Sequence, residues 1–103
     1  MNNIGIEFEF KGFTYNAIIS TRRNPDGREF IITILNRRLE RLLYGNYIIK
    51  EVDGVLQVDI LPGKEEQAEL KSIIAARLSN YLKIPCFVGD QCLDTAQTEA
   101  FIS

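Results

Sequence analysis

Ile4, Ile6, Phe8 and Phe10 alternate with Gly5, Glu7 and Glu9. Strict period-two patterning of this kind predicts a strand with one wet face. Lys11-Gly12 follows, and pairing across a two-residue turn sets Phe10 opposite Phe13, Phe8 opposite Tyr15, Ile6 opposite Ala17 and Ile4 opposite Ile19. All four pairs fall on one face, while Glu9 with Thr14 and Glu7 with Asn16 fall on the other. The alternation and the turn chemistry therefore specify the same register.

Asn24-Pro25-Asp26-Gly27 closes the next hairpin, because proline presets the second turn position and glycine accepts a positive φ. It leads into Phe30, Ile31, Ile32, Thr33, Ile34 and Leu35. A β-branched run that is apolar on both sides predicts a strand covered on both faces. Residues 36–45 place Leu39, Leu42 and Leu43 at helical spacing over too short a span for more than a helical turn or an irregular connection. Asp53-Gly54 between Tyr47–Val52 and Val55–Ile60 is a strong hairpin signal. That turn puts Tyr47, Ile49, Leu56, Val58 and Ile60 on one face, with Lys50, Gln57 and Asp59 on the other.

Leu61-Pro62-Gly63 ends the strand pattern. From Lys64 to Lys83 the apolar positions are Leu70, Ile73, Ile74, Leu78, Tyr81 and Leu82, a helical stripe. Glu65 and Glu66 suit the positive end of the helix dipole, Lys83 suits the negative end, and Pro85 blocks continuation. The pattern predicts an α+β fold: an antiparallel sheet of about five strands (4–10, 13–22, 28–36, 46–52, 55–61) packed on one C-terminal amphipathic helix (64–83). One domain over 1–103 follows from the length, and the aperiodic polar residues 94–103 read as a loose tail.

Composition narrows the chemistry. Hydrophobic residues make up 46% and charged residues 25% of the chain, which excludes a disordered composition. The N-terminal MNNIGIEFEF has neither a cationic leader nor a long apolar run, so a cytoplasmic protein without a membrane span is expected. Histidine is absent, which removes the commonest general base and the usual nucleophile pairs and zinc sites. Neither a cofactor motif nor a phosphate-loop glycine spacing occurs, and no cofactor is expected.

Charge is segregated. Between positions 21 and 45 six arginines (Arg22, Arg23, Arg28, Arg37, Arg38, Arg41) face three carboxylates (Asp26, Glu29, Glu40), a net +3 that leaves −5 for the rest of a chain of net −2. Arginine's planar fork suits phosphate and carboxylate partners, and the adjoining Tyr44 could stack. Arg22, Arg23, Arg37, Arg38, Arg41 and Tyr44 are thus the candidate partner-binding or anion-binding residues, set against the plainer reading of a solvated surface. Glu7 and Glu9 share a strand face at a spacing of about 7 Å that paired carboxylates use, but alternating glutamates ordinarily mark a wet face or a guarded edge. Cys86 and Cys92 would approach diagonally across a turn at Gly89-Asp90, and reduced thiols are the default.

The expectation is a non-catalytic binding module with a homo-oligomeric or protein partner at the sheet surface, because one helix cannot cover a strand that is apolar on both faces. A small ligand carrier or histidine-independent enzyme, with its pocket between sheet and helix, is the alternative. A weak anion or nucleic-acid binder using the 22–41 arginines is the third, and the acidic net charge counts against nucleic acid.

Overall fold

A computed structural model describes residues 3–25, 27–88 and 91–93. The chain forms β1 (Asn3–Phe10), β2 (Phe13–Asn24), β3 (Gly27–Ile34), α1 (Arg37–Leu42), β4 (Ile48–Val52), β5 (Val55–Val58), α2 (Glu65–Leu82), β6 (Cys86–Val88) and β7 (Gln91–Leu93). The strands make one sheet in the order β1-β2-β3-β4-β5-β6-β7.

The first hairpin has the register that the alternation specifies, with Phe10 opposite Phe13 and Ile4 opposite Ile19. Lys11 and Gly12 both take positive φ (51° and 84°), as do Asp53 and Gly54 (54° and 78°). Two successive positive φ values give a turn whose twist matches that of the flanking strands. β2 extends to Asn24, two residues past the expected end. β3 spans 27–34 instead of 28–36, because Leu35 and Asn36 leave the ladder to start α1.

Gly27 is required by crowding as well as by conformation. Its φ is 149°, and a Cβ there would stand 2.2 Å from the Glu51 carbonyl oxygen on β4. Only glycine lets β3 and β4 meet at this pair, where Gly27 lies opposite Val52.

The sheet is mixed, not purely antiparallel. β5 pairs with β6 in parallel, Leu56 opposite Cys86 and Val58 opposite Val88, and the Leu56 N–H donates to the Pro85 carbonyl. A parallel pair needs a long crossover, and α2 supplies it. β6 and β7 add two three-residue strands where the sequence shows one apolar triplet and then a polar run. Strands this short carry too few residues to display a period. The tail expected at 94–103 and the turn expected at 89–90 lie outside the described residues.

α2 touches β1 on one side and β5 and β6 on the other, so the sheet curls and the helix lies across the opening. Leu70, Ile74, Ala75 and Leu78 of α2 are buried against Phe8, Phe30, Ile49 and Leu56. Burying each large side chain stabilises by about 1.5–3 kcal/mol relative to exposure. The helix ends at Lys83, whose left-handed φ of 59° turns its N–H back to the Ser79 carbonyl. The segment 36–45, expected to be a helical turn, is the six-residue α1. Asn36 caps it, its Oδ1 accepting the Leu39 N–H at 3.2 Å. Leu39 and Leu43 plug one end of the curl.

Candidate functional site

The six candidate residues do not form one cluster. Arg22 and Arg23 stand near the tip of the β2–β3 hairpin, while Arg37, Arg38 and Arg41 lie on α1, beyond the far end of β3. Eight residues of strand separate the two groups by about 23 Å. Neighbours along the chain are thus divided between two ends of the molecule.

Alternation along β2 splits the first pair again. Arg22 points to the convex face, where its Nε donates to Glu29 Oε1 at 3.0 Å. That hydrogen bond holds the Glu29 carboxyl below its ordinary pKa. Arg23 points to the concave side beside Arg28, and the β2–β3 register sets the two directly opposite each other. Arg28 donates from Nε to Glu51 and lies over the Phe30 ring, 5.2 Å from its centroid. Arg23 makes no hydrogen bond or ion pair among the described residues. Both arginines line an open cavity of about 490 Å³ with Asn3, Ile4, Thr21, Tyr81 and Leu82. It lies between the sheet and the last turn of α2, at the end of the curl opposite α1.

On α1, Arg38 borders a second cavity of about 300 Å³, walled by Phe10, Phe13, Tyr15 and Leu42. Tyr44, 88% exposed, borders a different groove of about 270 Å³ with Ile31, Thr33, Leu43 and Tyr47. Arg37 and Arg41 are exposed.

The carboxylates Glu7 and Glu9 are both exposed on the convex face of β1. Cys92 lies opposite Phe87 in the β6–β7 register, and Cys86 opposite Leu93, with the Cys86 side chain buried. Among the described residues, no group of three His, Cys, Asp or Glu side chains could hold a metal ion, and no helix is long and apolar enough to cross a membrane.

One cluster escaped the sequence reading. Lys71 is fully buried, and its Nζ donates to Asn46 Oδ1. Asn46 Nδ2 donates to Gln67 Oε1 at 3.1 Å and to the Asp59 carbonyl at 3.2 Å, and Gln67 Nε2 donates to the Leu42 carbonyl at 2.8 Å. Desolvation pushes the Lys71 ammonium down from 10.5 to about 8, against an opposing pull from Asp59. The network ties α2 to the end of α1 and to the residues flanking β4 and β5, and satisfied groups of this kind fix one arrangement of a core. The signal was available: positions 67 and 71 fall within the arc 67, 70, 71, 74, 75, 78 that packs inward.

The outer face carries apolar residues as well. Ile31 lies opposite Ile48 and next to Ile18 diagonally, with Ile18 opposite Thr33. Leu35 N–H donates to the Asn16 carbonyl, which places Leu35 two residues along from Ile18. Ile18 is 36% and Leu35 67% exposed, while Ile31 and Ile48 are half-buried. Among the described residues, β3 is therefore fully covered on the concave side and only partly covered on the outer one.

No model of a known protein family matches the chain, and no curated protein and no solved structure matches it either.

Proposed function

We propose that the protein is a non-catalytic interaction module that pairs with a second copy of itself through the convex face of its sheet. The observation that supports this is the contiguous row Leu35, Ile18, Ile31 and Ile48 on the convex face, apolar positions that the described residues leave exposed or half-buried. Two sheets stacked face to face bury such rows at a separation of about 10 Å. An isologous twofold axis through the row would set each isoleucine against its counterpart's neighbours. Arg22, Glu29 and Lys50 on the same face would then form a polar rim, the usual surround of an apolar contact.

Light scattering behind a sizing column tests this directly. The wild type should elute as a dimer at high micromolar concentration. A variant with Ile18→Glu and Leu35→Glu should elute as a monomer with an unchanged circular-dichroism spectrum. A wild type that stays monomeric, or a double variant that stays dimeric, would refute the proposal.

A further inference from the structure

A separate site is carried by the open end of the curl. Arg23 and Arg28 are cross-strand partners on the concave side of β2 and β3. Side chains in such a pair start about 5 Å apart, and like charges directly opposite destabilise a sheet. Arg28 is compensated on its other flank, where β4 places Glu51 opposite it and the two side chains bond. Among the described residues, two guanidiniums thus share one carboxylate on this side of the sheet. The wall formed by Tyr81 and Leu82 belongs to the last turn of α2, whose end contributes about half a negative charge. Half a charge falls short of neutralising a second guanidinium, so a positive excess remains beside Arg23.

The cavity in front of this excess has a mixed lining. Thr21 and the Tyr81 hydroxyl add polar groups, and Ile4, Leu82 and the Tyr81 ring add an apolar wall. Its volume of about 490 Å³ exceeds the needs of a bare ion and falls in the range of small-molecule sites. We propose that this end of the curl binds a small organic anion, its phosphate or carboxylate group held by the Arg23 fork and its apolar part lying against Ile4, Tyr81 and Leu82. The anion would give the arginine pair a negative charge on each flank: ligand, Arg23, Arg28, Glu51. A planar fork recognising an oxyanion by two parallel hydrogen bonds is the geometry that arginine favours.

The test uses phenyl phosphate, benzoate and inorganic phosphate at matched ionic strength, titrated into the full chain and followed by amide chemical shifts. Phenyl phosphate or benzoate should give saturable shifts at Thr21, Arg23, Arg28, Tyr81 and Leu82, with an affinity clearly above that of inorganic phosphate. Arg23→Gln should weaken binding about tenfold, the loss expected of a charge-assisted fork. Arg37→Gln, which removes the same charge at the far end of β3, should leave the affinity as it is. The melting midpoint of the ligand-free Arg23→Gln protein should equal or exceed that of wild type, because a like-charge neighbour has been removed. Equal weakening by the two variants would reduce the effect to diffuse electrostatics and overturn the proposal. So would shifts centred elsewhere, an organic anion no tighter than inorganic phosphate, or a lowered melting midpoint.

Discussion

Lys71 offers a measurement in which the sign and size of the effect are both fixed by the structure. Its ammonium is fully buried and bonded to a neutral amide oxygen, and its pKa is held at about 8 against 10.5 for a solvated lysine. In the unfolded chain the group keeps its proton to higher pH than it does in the fold. Between those two values the unfolded state binds more protons, so stability rises with pH across the window. Below about pH 8 the folded state carries the whole cost of the buried charge, and above about pH 10.5 that cost is gone. A shift of this size corresponds to about 3 kcal/mol, of which about 2 kcal/mol falls between pH 7 and pH 10. For a domain whose total stability is of order 5–15 kcal/mol, that is readily seen.

The perturbation is Lys71→Met, which keeps an unbranched chain of similar length and removes the charge. Urea unfolding of both proteins at a series of pH values gives two stability curves, and their difference cancels the titration of the tyrosines, the thiols and the other lysines. The wild type should gain about 2 kcal/mol on Lys71→Met from pH 7 to pH 10. At neutral pH the variant loses one hydrogen bond and one desolvation cost, and the two losses oppose each other. Parallel curves, or a wild type that loses ground as pH rises, would refute the assignment of a buried, strained ammonium.

Two further substitutions probe how the elements are held. Gly27→Ala forces a Cβ onto the Glu51 carbonyl at a φ reserved for glycine, and should cost about 3 kcal/mol in chemical unfolding; a loss below 1 kcal/mol would mean that the hairpin end relaxes freely. Asn36→Ala removes the cap of α1 and should cost about 1 kcal/mol, with hydrogen exchange accelerated in residues 37–42 and unchanged in α2.

The hairpins were readable because their patterning, turn residues and register all repeat the same instruction. Phe8 faces Tyr15 and Ile6 faces Ala17 in the fold as the alternation requires. What failed was information that is not local. The parallel pairing of β5 with β6 depends on where α2 delivers the chain after a crossover of more than twenty residues, and no pattern inside Cys86–Val88 encodes it. Lys71 was passed over because a cation on a helix is ordinarily at the surface, although its position lies inside the buried arc. Phe13, on the core side of its strand, is nonetheless 67% exposed, since the hairpin tip reaches past the cover that α1 and α2 provide. The arginines show the converse error, in which closeness along the chain suggested closeness in space and an intervening strand separated them.

The two ends of the curl differ in a way that bears on both proposals. At one end Leu39 and Leu43 seal the core with apolar surface. At the other the core stops at Phe30, which Arg28 covers with its guanidinium face, and the charged group of Arg23, Arg28 and Glu51 takes the place of a plug. Arg23 and Ile18 belong to the same strand, yet five residues of alternation place them on opposite sides of the sheet. The convex row and the concave cavity therefore share a backbone without sharing a side-chain contact, and energies of sites that share no partner add. The Ile18→Glu, Leu35→Glu protein should bind phenyl phosphate with the wild-type affinity, and Arg23→Gln should leave the monomer–dimer midpoint where it is in wild type. A change of more than about threefold in either would show coupling through β2. Coupling between the two sites would also make phenyl phosphate shift the wild-type monomer–dimer equilibrium by the factor that separates its affinities for dimer and monomer.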